Sequence, residues 1–172
     1  MKAFYNRNPI SLRKLGAIGC ILTLGSTLMF ADTDTGNIAV SATVVESCTL
    51  DGGSLSFGNY DPIVTHASTP LDSTVNLSVL CTEGTTATIG LSDGDNAVSG
   101  QRKMAPAAGT ERLNYNLYSD SGRTAAWATE AYTEVDGTSA TNVTVYGRVP
   151  AGQNTSAAGS YTDTVVATIT FN

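Results

Sequence analysis

The sequence predicts an all-β sandwich that is short of one strand. After Cys48 no stretch sustains a helical period, and Gly, Asn, Asp, Ser and Pro punctuate the chain at short intervals. Between those punctuation points lie short runs whose apolar residues recur at a period of two, as half-buried strands require. The last of these runs continues to the final residues of the sequence, so nothing after it in the sequence covers its free edge, and bare strand edges template aggregation.

The first element is an export signal over residues 1–31. Lys2, Arg7, Arg13 and Lys14 make a basic start, Leu15 to Phe30 is apolar, and Ala31 supplies a small residue for cleavage. A membrane anchor fits less well, because the apolar run is about 16 residues against the ~20 that span a bilayer. Asp32 and Asp34 also stand where a basic stop-transfer flank belongs. Cys20 reads as filler within the signal.

Removal of that signal leaves 141 residues, enough for one domain with a single core. Four of the nine Lys and Arg leave with it, whereas all fifteen Asp and Glu stay, so the mature formal charge is −10. Nucleic-acid binding is therefore not expected, since phosphate attraction needs clustered cations. Acidity of this kind keeps an exported protein soluble.

Residues 32–45 form a separate apolar segment ahead of the domain, which spans 46–172. In it Ile38, Val40, Ala42 and Val44 alternate with Ala39, Ser41, Thr43 and Val45. One end of the domain lacks a strand and the other carries a spare, which predicts that molecules complete each other by strand addition. The plain alternative is a first strand pairing within its own domain.

Cys48 and Cys81 are the two cysteines of the mature chain, and in an oxidising compartment they predict a disulfide between neighbouring strands near one end of the sandwich. The remaining strands are expected at Leu55 to Asn59, Thr74 to Cys81, Thr86 to Leu91, Arg112 to Tyr118, Thr141 to Val149 and Tyr161 to Phe171, with Ser92 to Gln101 and Pro150 to Gly159 as exposed loops. In the last strand Val165, Ala167, Ile169 and Phe171 share one face and Val166, Thr168 and Thr170 the other. Tyr115 and Trp127 are expected in the core.

Motifs that carry chemistry elsewhere fail here. Gly90-Leu91-Ser92-Asp93-Gly94 has the spacing of a nucleophile elbow, yet no helix pattern follows it and the single histidine, His66, precedes the serine. A strand entering a Gly-rich loop accounts for it, and His66 reads as a solvated loop residue between Thr65 and Ala67. Asp93, Asp95 and Asn96 miss the EF-hand spacing, since Val98 stands in place of the loop glycine and Met104 in place of the bidentate acid. No catalytic residue, metal site or cofactor is expected.

Seven stretches together resemble the spore coat protein U domain family, which includes pilin subunits of the archaic chaperone-usher pathway. They are Ser47-Cys48-Thr49, Leu55 to Pro62, Cys81, Leu113 to Tyr118, Trp127, Val145 to Pro150 and Gly159 to Val165. Ala128 departs from the glycine expected after the tryptophan. The resemblance implies an incomplete immunoglobulin-like β-sandwich completed by donor-strand exchange: a periplasmic chaperone lends a strand to the open groove, and at the outer-membrane usher the N-terminal extension of a neighbouring pilin subunit replaces it.

On that reading Ile38, Val40, Ala42 and Val44 are the donor residues, while Val165, Ala167, Ile169 and Phe171 border the acceptor groove. Gly159 is fourteenth from the C-terminus and Phe171 penultimate, a spacing similar to the chaperone-recognition pattern of pilins. The implied function is a structural subunit of a secreted surface fimbria serving adhesion or biofilm formation. A spore or cell coat protein of the same fold is the alternative, and a secreted carbohydrate-binding module resting on scattered aromatics is a weaker one.

Overall fold

The computed structural model describes residues 31–127, 129–133 and 137–171, with the side chains of 129–133 left aside. The predicted export signal, apart from Ala31, lies outside the described residues, as does Ala128. Residues 31–41 form a unit of their own, with no assigned strand and every side chain exposed.

From residue 42 onward the described chain is all β. It contains β1 (Cys48–Asp51), β2 (Leu71–Cys81), β3 (Thr86–Leu91), β4 (Lys103–Pro106), β5 (Leu113–Asn114), β6 (Asn116–Tyr118), β7 (Thr129–Thr133), β8 (Thr141–Val149), β9 (Tyr161–Thr162) and β10 (Ala167–Phe171). One sheet has the order β1-β2-β8-β6; the other layer consists of β10-β3-β7 and β5-β4-β9. Every pairing is antiparallel.

Alternation sets which residues reach the core. Leu77, Val79, Val145 and Val149 from β2 and β8 meet Ile89 of β3, and Leu113, Tyr115, Leu117 and Trp127 complete the buried cluster. Trp127 donates its indole N–H to the Ile89 carbonyl at 3.3 Å, which satisfies its polar atom inside the core. On the outer face Arg148 makes two hydrogen bonds to Asp72, at 2.7 and 2.8 Å, across the β2–β8 pair. Those bonds hold the Asp72 carboxyl below the usual carboxylate range.

Cys48 stands opposite Cys81 in the β1–β2 register, and the two are joined as a disulfide with Cα atoms 4.0 Å apart. This bond marks one end of the sandwich. The other end is where Leu71 pairs with Val149, at the far end of the eleven-residue β2.

Several expectations need correction. Leu55 to Asn59 is not a strand: Leu55 and Phe57 turn inward and are half-buried, but among the described residues the segment pairs with no neighbouring strand. The two side chains instead fill the space over Gly147, where an added Cβ would stand 2.6 Å from Leu55 and 2.8 Å from Phe57. The run Arg112 to Tyr118 breaks at Tyr115, whose N–H turns to the Arg102 carbonyl at 3.1 Å. The final strand is also two strands, because the chain leaves β4 after Thr162 and reaches β3 at Ala167, changing sheets between them. Strands β1, β4 and β7 lie outside the predicted set.

Breaking the disulfide should be costly. A bridge closing 33 residues contributes about 3–4 kcal/mol in the chain-entropy account, so the paired Cys48→Ser, Cys81→Ser variant is expected to melt roughly 10–15 °C lower in a thermal scan. A change below ~2 °C would show that the bond does not constrain the unfolded chain.

Candidate functional site

The site is a groove between the two layers, a cleft of about 1330 Å³. Val75, Leu77, Leu117, Val145 and Val149 of one sheet, Leu91, Met104 and Leu113 of the other layer, and Tyr115 between β5 and β6 form its floor. One rim is Leu50 and the unpaired segment 52–58; the other is 159–165 with Ala167. Strands β1, β9 and β10 each stand at the edge of their sheet, so among the described residues no strand is hydrogen-bonded to either rim on the groove side. Apolar floor and free backbone edges together define a space shaped for an extended chain.

The C-terminal rim is held in place by the loop after β3. Ser92 accepts the Val166 N–H on its Oγ at 2.9 Å and donates its own N–H to the Val166 carbonyl at 2.9 Å; Asp95 N–H bonds the Thr164 carbonyl at 3.1 Å. These contacts carry the chain across from β9 to β10. Ser92 therefore serves as a backbone clasp, and its hydroxyl bonds amides, not a histidine.

Asp163 lies on the inward row of this rim. Its Oδ1 accepts the Asn96 N–H and the Asn96 side-chain N–H, both at 3.0 Å, and its Oδ2 accepts the Tyr115 hydroxyl at 2.5 Å. Gly94 leaves the room for it: a Cβ there would fall 2.0 Å from Oδ2, and φ at Gly94 is +91°, a conformation that L side chains rarely adopt. Burial, and then the hydrogen bond to Asp163, push the Tyr115 hydroxyl well above the usual tyrosine range.

The opposite end of the groove is closed by a loop built on His66, which is buried at 9% exposure and not solvated as expected. His66 Nδ1 accepts the Asp61 N–H at 3.0 Å, its ring stacks on Tyr60 with centroids 5.1 Å apart, and its carbonyl accepts the Gly152 N–H at 2.8 Å. Tyr60 in turn donates to the Pro150 carbonyl at 2.7 Å. The run of small polar residues around His66 hid this, because the burial comes from two loops meeting and leaves no local period. The neighbouring Ile63 lines the groove mouth while remaining 69% exposed.

The predicted acceptor residues divide. Gly159, Val165 and Ala167 line the groove; Ile169 packs half-buried against the core beyond it, and Phe171 is 36% exposed at the disulfide end. The predicted donor residues Ile38, Val40 and Val44 are 87%, 89% and 83% exposed, and Ala42 is exposed as well. Sequence reasoning missed Asp163 and Tyr161, which continue the inward row toward the N-terminal side of Val165; the period of two points to both.

The family model of the spore coat protein U domain matches residues 34–168. Protein U of Myxococcus xanthus is 38% identical over 174 residues, an overlap of 90% of this chain and 97% of that protein. Among solved structures, the CsuC–CsuE chaperone–tip adhesion subunit pre-assembly complex from archaic chaperone-usher Csu pili of Acinetobacter baumannii is similar in fold at a TM-score of 0.54 and 21% identity. That match covers 74% of this chain but 40% of the other. The P pilus rod subunit PapA gives a TM-score of 0.49 at 16% identity, over 73% of this chain and 99% of that one.

A pH test follows from Tyr115. Its raised value means that folding favours the protonated phenol; this stabilisation is complete below about pH 10 and is lost as pH rises toward the folded-state value. Unfolding free energy measured by denaturant titration between pH 10 and 11.5 should fall less steeply in Tyr115→Phe than in the unmodified protein, by up to one proton's worth of slope. Identical slopes would show that Tyr115 ionises freely in the folded chain.

Proposed function

The chain belongs to the spore coat protein U domain family, and we propose that it is a pilin-type structural subunit that polymerises by donor-strand exchange. The observation that carries this reading is the pairing of two features in one molecule. A groove with an apolar floor and two unpaired rims lacks a strand, and an exposed segment of alternating apolar residues supplies one. In a polymer the segment 38–44 of one copy lies in the groove of the next.

The groove must be covered before assembly, because an apolar cleft with free edges aggregates in solution. A periplasmic chaperone that lends its own strand meets this need, and an outer-membrane usher is where the neighbouring subunit takes over. Export by the N-terminal signal, transit through the periplasm and display as a surface fimbria complete the path, with attachment or biofilm formation as the service rendered. No catalytic role is proposed: Ser92 and His66 are each committed to backbone amides in different parts of the fold.

The match to the spore coat protein U domain favours a second reading, a coat protein that uses the same exchange without a long fibre. Genes for a chaperone and an usher beside this one, and fibres rather than a layer under the electron microscope, separate the two.

Burial of Val40 in a groove is worth roughly 1.5–3 kcal/mol, and a charge placed there costs more unless it is paired. Val40→Asp should therefore block polymer growth while leaving the chaperone complex intact, since the chaperone covers the groove with its own strand. Ser41→Asp, on the opposite face, should be mild. Both variants, purified with chaperone and added to usher and unmodified subunit, are followed by electron microscopy; equal growth would overturn the assignment of 38–44 as the donor.

A further inference from the structure

The inward row of the C-terminal rim within the groove has four members, Tyr161, Asp163, Val165 and Ala167. The apolar row of the exposed segment also has four, Ile38, Val40, Ala42 and Val44. Both rows repeat every second residue, so they can be laid against each other in a small number of registers. Three of the rim residues are apolar or largely so. Asp163 is the exception.

Its carboxylate cannot swing away. Two N–H groups of Asn96 hold Oδ1 and the Tyr115 hydroxyl holds Oδ2, and the tight turn at Gly94 backs it from behind. Whatever side chain is laid over Asp163 strips water from a charged group whose protein partners are already fixed. A bulky apolar side chain strips the most, and a methyl group the least.

We propose that the Asp163–Tyr115 pair sets the register of strand exchange, by admitting Ala42 of a neighbouring copy and rejecting the larger residues on either side of it. This rests on the donor-strand reading given above and adds to it the residue that decides alignment. With Ala42 beside Asp163 and the strands antiparallel, Val40 lies beside Val165, Val44 beside Tyr161, and Ile38, the largest donor residue, beside Ala167, the smallest rim residue. A slip of two residues either way places Val40 or Val44 over the carboxylate. Reversing the strand within the same four positions also places Val40 there and sets Ile38 against Tyr161, large against large. Among antiparallel alignments this one alone satisfies both charge and size.

The alignment is read by covalent trapping. Val165→Cys is combined in the full chain with Ile38→Cys, Val40→Cys or Ala42→Cys, fibres are grown with chaperone and usher, and non-reducing gels are scored for covalent ladders. Asp163 is untouched in all three. The expected result is a ladder from the Val40→Cys pair at least tenfold stronger than from the other two. A dominant ladder from Ile38→Cys reports one slip, and from Ala42→Cys the other slip or the reversed strand; either overturns the proposed register while leaving strand exchange standing. No ladder from any pair also overturns it, and fibre growth by Val40→Asp then tells whether the donor reading has failed as well. The notch itself is tested by size: Ala42→Leu should slow fibre growth at least tenfold and Val44→Leu less than twofold, and equal rates would remove Asp163 as the deciding residue.

Discussion

The structure depends on a groove whose two rims, among the described residues, have no strand paired to them on the groove side. A sandwich closes when each edge finds a backbone partner and each inner face an opposite layer. Here β1 and the segment 52–58 stand on one side of a cleft, β9 and β10 on the other, and the floor between them is Leu, Val, Tyr and Met. The domain is folded around that vacancy and not despite it: the disulfide ties one end, the Tyr60–His66 stack ties the other, and Ser92 clasps the rim between them.

Stability and function oppose each other at this site. Under the donor-strand reading, filling the groove permanently would stabilise the domain and end its capacity to join a neighbour, whereas leaving it open exposes apolar surface that must be shielded until assembly. The polar pair Asp163–Tyr115 extends the same tension, because a carboxylate in an apolar cleft contributes less to cohesion than a leucine of similar size would. On the proposed register, what it supplies is discrimination among alignments.

Much of this was legible in the sequence. Strands β3 and β8 fall on the expected bounds, since Thr86 to Leu91 and Thr141 to Val149 are β-branched and alternating with clear turn signals at each end. The inward row Val165, Ala167 and Ile169 follows from the same period. Less legible were β1, four residues long, and β4, where Lys103 and Pro106 mask the pattern. Leu55 to Asn59 alternates like a strand and turns its apolar residues inward, yet the partner that would make it one is absent from its groove side. Asp163 falls within the expected strand Tyr161 to Phe171, but nothing local marks its side chain as held inward; its fixed position comes from Asn96 and Tyr115, distant in sequence. His66 was misplaced for the same reason.

The central claim is that both rims of the groove await a backbone partner. Amide hydrogen exchange, read by mass spectrometry on isolated subunit and on assembled polymer, measures that directly at residues 52–58 and 161–167. The account predicts fast exchange at the groove-facing amides of both rims in the subunit and protection of at least a hundredfold in the polymer, with β3 and β8 slow in both. Rims already protected in the subunit, or equally exposed in the polymer, would contradict it.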